Sequence, residues 1–220
     1  MAKELAIVLN SGSVNSAVVT ALAAQKHRPI MLYAETSTAT GARSRAAYDQ
    51  QVGHFKPYRE HLLSMPFLAT VSPSSQNQSQ IVSDPRQHSA IGARLLELLP
   101  MIAIAARFAV HYQAAGIYLG LRIGPQADEL AQASEFLQIT NELLQLPCGQ
   151  SEMEIVTPLL ELEPWQVVDL GFHANAPFDK TWSCLEEMSE PCWACRGCRV
   201  RESAFQQAAK PDPMHAVRKI

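Results

Sequence analysis

Residues 5–25 read LAIVLNSGSVNSAVVTALAAQ, and three kinds of chain follow one another in that stretch. Leu5 to Leu9 is an apolar run of strand length, Asn10-Ser11-Gly12-Ser13 is dense in turn formers, and Val14 to Gln25 reads as a helix. The same alternation continues outward. Ile30 to Ala34 is a second apolar run, and Arg43 to Phe55 has a helical pattern. Leu62 to Val71 holds a third strand candidate, broken by Pro66. Residues 72–89 are rich in Ser, Gln, Asn and Pro without periodicity, as in a lid or a disordered segment. Arg94 to Gln113 predicts a long apolar helix bent at Pro100, with Leu95, Leu96, Leu99, Ile102 and Phe108 in the core. Gly116 to Leu121 reads as a strand, Asp128 to Leu146 as a helix and Glu154 to Val156 as a short strand. Pro164 to Leu170 predicts one or two helical turns, with proline tolerated at the start. Cys198 to Ala209 predicts a last helix, and the tail PDPMHAVRKI is expected to fray. Short apolar strands alternating with helices specify an α/β fold: a doubly wound parallel sheet with helices on both faces.

The chain has 220 residues, 47% of them apolar, with 18 basic residues against 21 acidic ones. That length suits one domain, or one domain with a small appendage. The apolar share is too high, and the charged share of 18% too low, for a disordered chain. A net charge of -3 argues against a general nucleic-acid binder, which needs a basic excess. The opening MAKELAIVLNSG lacks the pattern of a signal peptide. Leu95 to Val110, the most apolar stretch, contains Glu97, Pro100 and Arg107 and is too short to span a bilayer. A soluble, cytoplasmic protein with no membrane partner is expected.

Four of the five cysteines, Cys184, Cys192, Cys195 and Cys198, lie close together with the spacing C-x7-C-x2-C-x2-C, and Cys148 stands apart. An odd count clustered this way is a poor disulfide framework and reads first as a metal site. A C-x2-C pair sets two sulfurs on one turn, within reach of one tetrahedral ion, and four thiolates close the coordination sphere as in structural zinc sites. Arg196, Arg199 and Arg201 lie beside the cysteines and are expected to offset the thiolate charge. One zinc per chain is therefore expected. An iron–sulfur cluster is the sharper rival, although C-x2-C-x2-C runs of that kind lack the seven-residue gap. A nucleic-acid zinc ribbon is opposed by local charge, since Glu186, Glu187, Glu190 and Glu202 outnumber the three arginines.

The turn Ser11-Gly12-Ser13-Val14-Asn15-Ser16 opens a helix directly after a strand. Backbone N–H groups at the positive end of a helix dipole form an anion cradle, and the hydroxyls add donors. The same residues also serve as ordinary helix caps.

Taken together, the strand–SG-x-x-x-S–helix turn, Thr181-Trp182-Ser183-Cys184 and C-x7-C-x2-C-x2-C-R-x-R resemble the 7-cyano-7-deazaguanine synthases (QueC, also ExsB). Those enzymes belong to the PP-loop, or adenine nucleotide alpha hydrolase-like, superfamily. The likeness is densest from Glu154 to Arg201, and the order of elements matches over nearly the whole chain. It implies a PP-loop sheet over residues 1–180 and a small C-terminal zinc lobe over 181–210. It also implies an ATP-dependent ligase that adenylates a deazapurine carboxylate and converts it with ammonia, through an amide, to the nitrile used for queuosine. Cys184, Cys192, Cys195 and Cys198 take the place of the metal ligands. Ser11, Gly12, Ser13, Asn15 and Ser16 take the place of the ATP turn.

That turn departs from the family's S-G-G-x-D-S. Ser13 stands where the second glycine allows close approach of pyrophosphate. Asn15 replaces an aspartate suited to magnesium. The family's lysine before the zinc lobe falls near Pro164, and the segment Arg122 to Asp128 differs from the family's acidic run. Arg94 matches an arginine of the family, with Leu95 in place of the next asparagine. Arg94 and Arg122 are the candidates to replace the lost cation, and Trp182 is either packing for the zinc lobe or part of the substrate pocket.

Two main functions therefore stand against each other. One is a QueC-like ligase using ATP and magnesium. The other is a non-catalytic or substrate-diverged relative that keeps the zinc-stabilised fold and binds a nucleotide, base or protein partner. An electron-transfer protein is a third. Small-molecule nucleotides or deazapurines are the expected partners, and a homodimer is expected by analogy of fold. The seven histidines show no metal-binding spacing and read as surface or helix residues, and Cys148 reads as a buried or idle thiol.

Overall fold

The computed structural model describes residues 3–35, 41–66, 68, 90–149 and 153–215. The loop at 72–89 expected to form a lid lies outside the described residues, as do 216–220. Five strands form one sheet: β1 (Leu5–Leu9), β2 (Arg28–Glu35), β3 (Arg59–Ser64), β4 (Gly116–Leu119) and β5 (Glu154–Val156). Every pairing is parallel and the order is β3-β2-β1-β4-β5. Among the described residues six α-helices accompany them: α1 (Val14–Lys26), α2 (Gly41–Phe55), α3 (Ala90–Tyr112), α4 (Ala127–Cys148), α5 (Pro164–His173) and α6 (Arg196–Gln207).

Side chains on successive strand residues face opposite sides, so a parallel sheet must be covered twice. Ile7, Ile30, Leu32, Ile117 and Leu119 pack on one side with Ile102, Ala105 and Ala109 of α3 and Leu137 of α4. Ala6, Val8 and Tyr118 face the other side, against Val18 and Val19 of α1, Val167 and Val168 of α5, and Phe205 of α6. Met31 and Tyr33 complete that second side with Tyr48 of α2. The doubly wound architecture expected from the alternation is thus present.

Several boundaries differ from the expected ones. β3 begins at Arg59 and ends at Ser64, because it pairs in register with Ile30–Glu35 of β2 and is led in by a bond from the Tyr58 N–H to the Pro29 carbonyl. Periodicity within a single strand does not contain that register. α3 begins at Ala90 and is continuous through Pro100, which cannot donate to the Leu96 carbonyl. Leu96 and Leu99 are not core: they are 64% and 38% exposed, whereas Leu95 and Ile102 are buried. They turn outward beside Ile139 of α4 along a groove of about 380 Å³. His61 also departs from the surface-or-helix expectation. It lies on β3, partly buried, with Nε2 2.8 Å from the Tyr112 hydroxyl and its ring against Phe108. Burial, helped by Arg59, lowers its pKa. Cys148 is half-buried against the core.

The C-terminal segment is bound to the sheet domain by one buried cation. Arg201 of α6 donates from Nε to Asp212 at 2.6 Å and from Nη2 to the same carboxylate at 2.8 Å. Its remaining donors reach the Thr181 hydroxyl at 2.6 Å and the Phe178 carbonyl at 3.0 Å. Both side chains of the pair are almost fully buried. The tail is therefore ordered as far as His215, contrary to the expected fraying. His215 stacks on Trp193 with ring centroids 3.8 Å apart.

Asp212→Ala would leave a guanidinium buried without its counter-charge. Breaking such a pair from one side costs roughly 3–5 kcal/mol, and a loss of that size in denaturant unfolding is the expected result.

Candidate functional site

In a doubly wound sheet, ligands bind beyond the carboxyl ends of the strands where the strand order reverses. Here that point lies between β1 and β4, and the turn Asn10–Ser16 sits there. Its shape comes from Asn10, which is buried at the end of β1. The Asn10 side-chain oxygen Oδ1 accepts the Gly12 N–H at 2.8 Å and the Ser16 hydroxyl at 3.2 Å. Gly12 has φ +77°, and a Cβ there would lie 2.3 Å from the Ser44 carbonyl oxygen, so only glycine fits between the turn and α2.

The serines are engaged with one another. The Ser13 hydroxyl caps α1 by accepting the Ser16 N–H at 3.4 Å, and it also accepts the Ser11 hydroxyl at 3.1 Å. The Ser13 side chain is thereby turned onto the helix end. Asn15 donates to the Gly120 carbonyl at 3.4 Å and ties α1 to the end of β4.

Arg122 follows β4 and is partly buried, donating to the Leu162 carbonyl at 3.3 Å. Exposed Arg94 of α3 donates to the Arg122 carbonyl at 3.1 Å. Burial, and then the charge of Arg94, push the Arg122 guanidinium below its ordinary pKa, while Glu163 pulls the other way. Among the described residues neither arginine has a carboxylate in ion-pair range. Two adjacent cations without an anion favour a phosphate or carboxylate between them.

Trp182 comes to the turn from the other side. Its backbone N–H donates to the Gly12 carbonyl at 2.9 Å, while its indole N–H is buried without a partner. Arg43, in the first turn of α2, holds its guanidinium 5.9 Å from the Trp182 ring. Sequence reasoning passed over Arg43. It is one of several exposed arginines, and only the packing of α2 on the turn brings it to the site. Asn10 and Gln51 were missed for a similar reason, since a buried amide has no spacing signature.

The four cysteines converge two residues further on. Their sulfurs all lie within 4.8 Å of one another, and those of Cys184 and Cys195 are 4.0 Å apart. Four sulfurs about 2.3 Å from a central ion sit about 3.8 Å from one another, so the donor set suits one tetrahedrally held cation. The backbone folds round the sulfurs. Leu185 N–H donates to Cys195 Sγ at 3.4 Å, Glu186 and Cys192 N–H donate to Cys184 Sγ at 3.5 and 3.4 Å, and Cys195 N–H donates to Cys192 Sγ at 3.3 Å.

These amides take the charge-offsetting part expected of the arginines. Arg201 is engaged by Asp212, while Arg196 and Arg199 are exposed. Burial acts against ionisation of Cys195, yet the Leu185 and Cys198 backbone bonds, with those from neighbouring cysteines, bring its pKa down to about 6. Burial pushes the Cys198 thiol up. A cation equalises such thiols by displacing their protons. The C-x2-C turn places Trp193 at φ +55°, a conformation that costs a non-glycine residue on the order of 1–3 kcal/mol. The ring is held in return against His215.

The family model described as "Queuosine biosynthesis protein QueC" matches residues 5–209. A 7-cyano-7-deazaguanine synthase of Acidobacterium capsulatum is 25% identical over 226 residues, covering 96% of each chain. One from Koribacter versatilis is 26% identical, over 95% of this chain and 92% of that one. A third, from Aliarcobacter butzleri, is 32% identical over 114 residues, about half of each chain. Among solved structures, the U34-tRNA thiolase NcsA from Methanococcus maripaludis with its 4Fe–4S cluster is similar at TM-score 0.48. It is 12% identical, over 93% of this chain and 64% of that one. The chain belongs to the QueC family.

Gly197 opens α6 between two of the sulfurs' residues, and a Cβ there would lie 2.0 Å from the Ser183 carbonyl oxygen. Gly197→Ala should push α6 away from Cys184. The expected result is faster loss of metal to a chelator at equal protein concentration, followed by a colorimetric metal indicator.

Proposed function

We propose that this chain is an ATP-dependent carbon–nitrogen ligase of the 7-cyano-7-deazaguanine synthase type. The observation that carries the reading is the kinship over nearly the full chain with relatives that bear that name. The described residues support it with a glycine turn at the end of β1, Trp182 bonded to that turn, and Arg122 just after β4 with Arg94 on its carbonyl.

The chemistry is two activations of oxygen. The substrate carboxylate attacks the α-phosphorus of ATP, which expels pyrophosphate and leaves an acyl adenylate. Ammonia displaces AMP and gives the amide. Adenylation of the amide oxygen by a second ATP, with loss of pyrophosphate, followed by departure of AMP and of both protons from the nitrogen, gives the nitrile. Each adenylation develops negative charge on the departing pyrophosphate. Preorganised donors and cations aimed at that charge are the main source of acceleration.

In this reading Gly12 and the N-terminus of α1 hold the phosphates, assisted by Ser11, Ser13 and Ser16. Asn15 orients the turn from the β4 side, and magnesium accompanies the ATP. Arg122 and Arg94 supply the positive charge that the missing lysine does not. Trp182 covers the deazapurine end of the crevice.

Zinc is the metal we assign to Cys184, Cys192, Cys195 and Cys198. Four thiolates round one ion leave no open position, so the ion contributes folding energy rather than a step of the reaction. Residues 181–210 are then a metal lobe on a PP-loop domain of residues 1–180. The substrates are small molecules of the cytoplasm, and the net charge of -3 opposes a nucleic-acid partner. Among the described residues no helix is long and apolar enough to cross a membrane. The exposed leucines of α3 and α4 are assigned to contact with a second copy of the chain.

Metal-loaded protein given ATP, magnesium, ammonium and 7-carboxy-7-deazaguanine should release AMP and pyrophosphate only when the carboxylate is present. No AMP above background would overturn the ligase reading. Arg122→Ala should raise KM for ATP or carboxylate about ten- to a hundredfold, the size of a lost charge-assisted hydrogen bond. Leu143→Glu, on the exposed face of α4, should shift the mass measured by light scattering from dimer to monomer.

A further inference from the structure

The turn and the cysteine segment are joined by a second link besides the Trp182–Gly12 hydrogen bond, and it runs through the interior. Gln51 of α2 is wholly buried. Its carbonyl oxygen accepts from Asn10 Nδ2 at 2.8 Å, and its own Nε2 donates to the Lys180 carbonyl at 2.9 Å. The other hydrogen of Asn10 Nδ2 goes to the Thr20 hydroxyl at 2.9 Å, and Thr20 in turn donates to the Ser16 carbonyl at 2.7 Å. The Asn10 oxygen already accepts Gly12 N–H and the Ser16 hydroxyl. The Asn10 side chain is thus satisfied on every side, and each of its partners belongs to the turn, to α1 or to Gln51.

We propose that Gln51 is a positioning residue for nucleotide binding, its amide joining Asn10, which fixes the Gly12 N–H, to the Lys180 carbonyl. The phosphate turn and the extended segment Thr181–Cys184 are then held in one frame. The inference rests on the reading of the turn as the ATP site.

A buried amide with both ends used is a directional device. An apolar side chain of the same volume fills the space equally well but cannot define where Lys180 stands relative to Asn10. The network also explains how a turn with a serine in place of glycine keeps a defined shape. Asn10 sets the turn from beneath, while Gln51 and the Trp182 N–H set the distance to the indole. Misplacement of a binding group by about 1 Å can cost a hundredfold, so the link matters more to ATP than to the fold.

Three full-length, metal-loaded proteins test this: wild type, Gln51→Leu, and Leu137→Ala, a buried change under α4 on the other side of the sheet. For each, the ATP dissociation constant, the melting temperature and the amide exchange of peptides spanning 10–16 and 178–184 are measured. Gln51→Leu leaves one hydrogen of the Asn10 amide and the Lys180 carbonyl unpaired, so stability falls, exchange in both peptides quickens and ATP binds about ten- to a hundredfold more weakly. Leu137→Ala should also lower the melting temperature while ATP affinity and both exchange rates keep their wild-type values. If Leu137→Ala weakens ATP as much as Gln51→Leu does, or Gln51→Leu leaves ATP affinity unchanged, Gln51 is only a core residue and the proposal is overturned. If the wild type binds no ATP, the ligase reading fails. The exchange rates then still decide the link: unchanged rates in Gln51→Leu overturn it.

Discussion

A guanidinium removed from water must be met by an anion and by acceptors for its remaining hydrogens, or the fold loses several kcal/mol. Arg201 is met by Asp212, the Thr181 hydroxyl and the Phe178 carbonyl, and those partners belong to two stretches of chain separate from α6. The requirement therefore gathers α6, the turn before Thr181 and the C-terminal tail at one place. Thr181 leads directly into Trp182 and Cys184, so one buried charge locates both the indole over the glycine turn and the first sulfur of the metal site. The position of the cysteine segment relative to the sheet is thereby tied to this knot.

Two kinds of rigidity then meet. Beyond the sulfurs, the backbone is folded by N–H···S bonds and by the ion that the sulfurs suit. On the sheet side, the turn is held by Asn10 and the self-capped N-terminus of α1. Gly12 is the point of contact, with its carbonyl bonded to Trp182 and no room for a Cβ against α2. A site made this way excludes large rearrangement of its own walls. In the proposed reading, specificity for a planar base falls to Arg94 and Arg122, which have no carboxylate partner among the described residues, and to the Trp182 indole, whose N–H has no hydrogen-bond partner there.

Legibility from sequence follows the range of the interaction. The Cys184–Cys198 spacing is local, and the sulfurs do converge. The Ser11–Ser16 turn is also local, and it does open α1 at the end of β1. Arg94 and Arg122 were singled out as charges in search of a partner, and the fold sets them side by side. Arg201 was read with the thiolates, however, because sequence proximity cannot show that a carboxylate eleven positions away claims it. Leu96 and Leu99 were read as core because helical periodicity marks an apolar face without saying what covers it. Gln51 was invisible: its partner, Lys180, is 129 positions away.

By itself the amino-acid order determined the alternation of strands and helices, the parallel sheet that follows from it, and a set of four cysteines able to share one cation. Each of these depends on residues within a turn or two of one another, where side-chain periodicity and backbone reach leave few alternatives. The strand order β3-β2-β1-β4-β5, the outward turn of Leu96 and Leu99, the pairing of Arg201 with Asp212 and the amide link through Gln51 were decided only in three dimensions. Those depend on which distant groups are buried together, and desolvation is a property of the assembled fold rather than of any stretch of chain.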